Sequence, residues 1–197
     1  MTEDFDAVAA ALHADGVQHD ARQADRTSRR RNLEPDTAAL LSVVCQAMGA
    51  RRIVEIGTSN GYSTLWLARA AARTGGTVLS LDVDPAGQRE AADSLTRVGL
   101  HDQVELRCAD GGAVLRELPD AGSDVVFLDS ERTAYRGWWP DPVRVLQPGG
   151  LLAIDNVLSH PAEVADVRAL IAADPALTAT VAPVGKGLLL AVAGAQV

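Results

Sequence analysis

Two periods alternate along the chain. Short apolar runs bounded by Gly, Pro, Asp or Asn recur at residues 52–56, 78–82, 104–108, 124–129 and 151–155, and each reads as a buried strand. Between them, apolar positions fall at helical spacing from near Asn60, Pro85, Gly111 and Ala134, with Pro85 where proline suits a first helical turn. Ahead of the first strand, "EPDTAALLSVVCQAMGA" predicts a helix opened by Pro35 and Asp36 and stopped by Gly49, and another helix covers residues 162–172. The end of the chain, "TATVAPVGKGLLLAVA", changes to two strands around a turn at residues 184–187. A strand-then-helix order predicts an α/β fold: a doubly wound sheet of five parallel strands, helices on both faces, and a C-terminal antiparallel hairpin at one edge.

Length adds that residues 1–197 suffice for one well-buried domain, with 1–32 as an N-terminal helical arm or lid. No apolar run approaches the ~20 residues of a membrane span, so no membrane partner is expected. The acidic start "MTEDFDAVAA" is unlike a signal peptide, which makes a cytoplasmic location the expectation. Cys45 in a helical pattern and Cys108 at a strand end read as buried small hydrophobes rather than a disulfide or metal pair. A formal charge of −8 argues against nucleic acid as a partner. One basic stretch stands apart: "ARQADRTSRRR", with Arg22, Arg26, Arg29, Arg30 and Arg31, is either a grip on an anionic substrate or a solvated segment.

Candidate chemistry centres on "IVEIGTSNGYSTLWLA". Its Gly57-Thr58-Ser59-Asn60-Gly61 matches the G-x-S-x-G nucleophile elbow, and a Ser, Asp, His order can be written as Ser59, Asp129 or Asp155, and His160. That elbow follows a central strand with a sheet already laid down before it, whereas here the preceding segment reads as helical. The competing reading is a cofactor loop. A glycine turn after the first strand aims backbone N–H groups and a helix N-terminus at a ligand, and Asp82 at the end of the second strand can accept from a ribose. The loop has the form E-x-G-x-x-x-G, from Glu55, Gly57 and Gly61. An acidic Glu55 repels a pyrophosphate and suits an ammonium or sulfonium, which favours S-adenosylmethionine over NAD.

From about Leu33 to Ala193 the chain resembles the class I S-adenosylmethionine-dependent methyltransferases with their Rossmann-like sheet, specifically the metal-dependent O-methyltransferases typified by catechol and caffeoyl-CoA O-methyltransferases. The segments that carry the resemblance are "VEIGTSNGYSTLWLA", "LDVDP", "DVVFLDSERTAY" and "LQPGGLLAIDNVL". It implies that Glu55, Gly57, Ser59, Gly61 and Ser63 surround the methionine part of the cofactor, that Asp82 takes the ribose, that Asp110 approaches the adenine and that Asp129 also belongs to the cofactor site. Ser63 also reads as a helix cap. Asp129, Asp155 and Asn156 end the fourth and fifth strands, so on neighbouring strands they converge as hard oxygen ligands for Mg²⁺ or another divalent cation. The family uses these three positions as metal ligands, and it uses the N-terminal region over the active edge or across a homodimer partner.

One position departs from the pattern. Three residues after the metal Asp the family carries a lysine assigned as the base; here it is Arg132, which stays protonated. Three readings stay open: the cation alone acidifies the acceptor hydroxyl, His160 or Tyr135 takes the proton, or the protein binds cofactor without catalysis. Tyr135, Trp138 and Trp139 are either an acceptor wall or core packing. The expected acceptor is a small hydroxylated metabolite.

Overall fold

The computed structural model describes residues 2–25 and 29–194; Arg26 of the basic stretch lies outside them. Seven strands form one sheet in the order β3-β2-β1-β4-β5-β7-β6. The parallel strands are β1 (Arg52–Ile56), β2 (Thr77–Asp82), β3 (Val104–Cys108), β4 (Ser123–Leu128) and β5 (Leu146–Ile154). The hairpin β6 (Leu177–Ala182) and β7 (Leu188–Ala193) joins antiparallel, with β7 against β5.

Strand alternation sorts the core into two layers. Ile53 of β1 and Val125 and Phe127 of β4 point to one face, where α1 (Phe5–Arg22), α2 (Pro35–Ala47) and α3 (Tyr62–Thr74) cover them, and Leu95 of α4 (Pro85–Arg97) joins the same cluster. Val54, Ile56, Val126 and Leu128 point the other way, onto α5 (Gly111–Glu117), α6 (Tyr135–Trp138), Val143 of α7 (Asp141–Arg144), and α8 (Ala165–Ala173). Because both faces are covered, the central strands are apolar at nearly every position.

The chain winds outward from β1 to β2 and β3, then returns to lay β4 and β5 on the opposite side of β1. Loops leaving β1 and β4 therefore diverge, and a crevice opens beyond their carboxyl ends. The α1 helix is capped by Asp4 and packs on α3, where Phe5 meets Trp66 edge-on at 5.4 Å and the Arg69 guanidinium lies over both rings. No helix of the described residues is long and apolar enough to cross a membrane.

Two expectations need correction. The fifth strand begins at Leu146, not near residue 151: Leu146 pairs with Ser123, and a register shift between Ser123 and Val125 absorbs the Pro148-Gly149-Gly150 segment that reads locally as a turn. Cys108 is exposed, because β3 is the edge strand, while Cys45 is buried and its thiol is pushed up to about 12 by that burial; both are free.

Candidate active site

The crevice holds a cavity of about 680 Å³ whose walls come from the β1 loop, the ends of β2 and β4, the segment after β5, the hairpin turn and residues 29–31 of the arm. Gly57 brings the first two parts together. At φ +111° it adopts a backbone closed to most residues, and a Cβ there would stand 2.1 Å from the Asp129 carbonyl oxygen. Gly61, at φ +89°, begins α3 and lies against Ala91 of α4, whose Cβ would be 2.6 Å from an added one.

Between these glycines Ser59 is also left-handed, at φ +49°. Its N–H donates to Asp82 Oδ2 (2.8 Å) and its Oγ donates to the Arg30 carbonyl (3.0 Å). The hydroxyl thus ties the loop to the arm, and His160 Nδ1 pairs with Ser159 Oγ at 2.8 Å; this is not the coupled serine and histidine of an elbow.

Behind the loop Glu55 is fully buried, and Thr64 and Ser80 hydroxyls donate to its Oε2, the latter at 2.6 Å. Burial pushes its carboxyl up to about 7, against hydrogen bonds from Ser63, Ser80 and Thr64 that favour the anion. Ser63 reaches the narrow recess next to the main cavity, which Gly57, Ser59 and Asp129 also line. Asp110 is elsewhere: its Oδ1 accepts from Ala113 N–H at 2.7 Å as the cap of α5, outside the cavity lining.

The carboxylates expected on neighbouring strands do meet. The Asn156 side-chain nitrogen donates to Asp155 Oδ2 (2.8 Å) and to Asp129 Oδ1 (3.2 Å), with Asn156 itself at φ +67°. Asp155 is 2% exposed and its Oδ1 has no partner. Burial raises both carboxyls above their ordinary range; Asp129 adds to the rise of Asp155, while Arg31, Arg132 and Lys186 favour ionised Asp129. Among the described residues no group of three or more His, Cys, Asp or Glu is placed to hold a metal. Two carboxylates, one with a buried unpartnered oxygen, and an amide that presents its oxygen after a half-turn nonetheless fit Mg²⁺, which keeps several other oxygen ligands.

Arg132 reaches the cavity while 4% exposed, with Nε and Nη2 on Glu163 Oε2 at 2.8 and 2.7 Å. The aromatic wall is not there. Tyr135 is fully buried, its hydroxyl oxygen accepting from Ser130 N–H at 2.7 Å, and Trp138 and Trp139 pack on the second core layer. Burial pushes the Tyr135 phenol up, which removes it as a ready proton acceptor. Two charged cavity residues that lie far from every motif were missed by sequence reasoning. Lys186, the only lysine in the chain, stands on the β6–β7 turn with Nζ 2.7 Å from Glu34. Asp20 of α1 accepts from the N–H groups of Arg30 (2.7 Å) and Arg31 (2.9 Å). A lysine between two glycines was the available signal for the first; nothing local marks the second.

Residues 19–193 match the family model described as O-methyltransferase. A catechol O-methyltransferase from Niastella koreensis is 32% identical over 130 residues, 64% of this chain, and the chain spans 58% of that protein's length. Among solved structures, an O-methyltransferase from Bacillus cereus in complex with SAH (S-adenosylhomocysteine) aligns with a TM-score of 0.80 at 25% identity, covering 98% of this chain and 92% of that one. An O-methyltransferase from Streptomyces achromogenes, in complex with SAM (S-adenosylmethionine), shares the fold with a TM-score of 0.81 at 24% identity, covering 99% of this chain and 92% of that one.

Proposed function

The chain belongs to the O-methyltransferase family, an enzyme family that uses S-adenosylmethionine, and from that premise we propose how its residues divide the work. The glycine loop, with Gly57, Ser59, Gly61 and Ser63, receives the methionine part of the cofactor at the N-terminus of α3. Asp82 accepts from the ribose, and buried Glu55 supplies negative charge beneath the sulfonium and ammonium. Asp129, Asp155 and Asn156 hold a divalent cation, for which Mg²⁺ is the best fit. Such a cation, when bound, lowers the pKa of a hydroxyl placed on it.

The chemistry is an in-line displacement. An acceptor oxygen attacks the methyl carbon, a C–O bond forms, the C–S pair returns to sulfur, and neutral S-adenosylhomocysteine leaves. Alignment of the two reactants supplies up to ~7–11 kcal/mol in favourable cases. Arg132, fixed by Glu163, stays charged and steadies the developing oxyanion rather than taking its proton. His160, which lines the cavity, is the proton acceptor in this reading. We read residues 1–197 as one methyltransferase domain with 1–32 as its arm, acting in the cytoplasm as a homodimer on a small hydroxylated compound, without nucleic-acid or membrane partners; two free cysteines accord with that compartment.

The observation that carries this reading is the convergence of the glycine loop, Asp82 and the Asp129–Asn156–Asp155 group on one crevice. Methyl transfer from labelled S-adenosylmethionine to a panel of hydroxylated compounds, run with Mg²⁺ and with EDTA, tests it. Mg²⁺-dependent labelling is expected. Full turnover by metal-free protein in EDTA would remove the cation from the mechanism, and binding of NAD in place of SAH would remove the cofactor assignment.

A further inference from the structure

Resting on the O-methyltransferase reading, we propose that the acceptor is an anion: a small hydroxylated compound whose carboxylate seats on the Arg31 guanidinium. Arg31 has φ +52°, a left-handed backbone that is strained for a non-glycine residue. The Asp20 carboxylate holds it there, taking the N–H groups of Arg30 and Arg31 across ten and more residues of chain. Glycine would occupy this bend with no strain. Arginine there sets a half-buried guanidinium on the wall of both the cavity and its recess.

That guanidinium is the rim charge with no hydrogen-bonded partner, although it stands close enough to favour ionised Asp129. Arg30 pairs with Asp15 and Glu90, Arg132 with Glu163, and Lys186 with Glu34, while Arg29 donates to the Gln23 carbonyl. Among the described residues Arg31 makes no side-chain hydrogen bond or ion pair. The cavity's acids have other hydrogen-bond partners: Asp20 on the arm, Asp82 on Ser59 N–H, Asp84 as the cap of α4, Glu131 on the Thr133 hydroxyl, and Asp129 on the Asn156 amide in the group proposed to hold the cation. A planar donor fork half out of water and without an acceptor is matched best by a carboxylate, which takes two parallel N–H bonds. The cofactor also brings a carboxylate, but its methionine end faces the N-terminus of α3 and Ser63, which already suit an anion. Arg132 and Lys186 line the main cavity and not that recess, so the positive field that Arg31 shares lies in the larger space, on the side of Arg132 and Lys186 away from Ser63.

The test compares full-length protein with Arg31→Gly, which suits the bend, and Arg31→Lys, which keeps charge but loses the fork. Calorimetry measures SAH first, and then, on SAH-loaded protein, two probe pairs differing only by a carboxylate: catechol with 3,4-dihydroxybenzoate, and phenol with 4-hydroxybenzoate. The carboxylated members are expected to bind about tenfold tighter or better, an advantage erased in Arg31→Gly and partly kept in Arg31→Lys, with SAH affinity unchanged. No carboxylate advantage in the unmutated protein, or one that survives in Arg31→Gly, overturns the proposal. A loss of SAH affinity of about tenfold in Arg31→Gly gives the guanidinium to the cofactor and overturns it too. Failure of the unmutated protein to bind SAH would instead strike the cofactor assignment itself.

Discussion

Glu55 and Arg132 show how single side chains constrain the site. The Glu55 carboxyl lies near 7 in the fold, against 4.5 in an exposed glutamate, so between those values the folded chain holds a proton that the unfolded chain has released. Stability from this residue is therefore fully present below about pH 4.5 and is lost as pH rises through 7. Glu55→Gln, of equal shape and no charge, should flatten that slope: urea midpoints at pH 5 and pH 8 should draw together in the variant, and an unchanged gap would refute the burial account. Arg132→Ala removes one partner of a nearly buried ion pair and should cost roughly 3 kcal/mol. Arg132→Lys keeps the positive charge, and turnover should stay within about tenfold with KM unchanged. A large rise in KM alone would mean that the guanidinium grips the acceptor instead. At this scale Asp129, Asp155 and Asn156 were legible because strand-end positions follow from periodicity. Tyr135 was not, since spacing cannot distinguish an aromatic that lines a cavity from one that the core encloses.

Elements position these groups through close approaches that only glycine permits. Gly61→Ala places a methyl against Ala91, so α3 must move off α4 and carry the cofactor loop with it; a cost of roughly 2–3 kcal/mol and a weaker SAH interaction should follow. Gly75→Ala is the control. It has φ +70° but open space around it, so only backbone strain of about 1 kcal/mol is expected, with SAH binding untouched. Comparable SAH losses in the two variants would show that helix packing does not set the loop. Order and type of the strands were readable, as both rest on local alternation and punctuation. The start of β5 was not, because its pairing of Leu146 with Ser123 is decided by a neighbouring strand rather than by Pro148 and the glycines that follow it. Lys186 escaped for the same reason, being placed by a hairpin that folds back beside β5; Arg31 was marked as part of the basic stretch, but its seat on the cavity wall, set by Asp20 on α1, was not readable.

For the molecule as a whole, the buried carboxylates at the crevice are a burden on folding until a cation offsets their charge. Mg²⁺ should raise the melting temperature of the intact protein, and Asp155→Ala should abolish that rise while leaving SAH affinity nearly unchanged, since the proposal seats the cofactor chiefly on the ends of β1 and β2. Equal stabilisation of both proteins by Mg²⁺ would place the ion elsewhere. The sole lysine has a further use. In a chain whose other fixed cations are all arginine, Lys186 is the one side-chain amine open to acylation, and it stands on the cavity wall 2.7 Å from Glu34. An amine-reactive fluorophore would thus label a single side chain at the mouth of the crevice, and its brightness would report, in real time, every arrival and departure of a ligand.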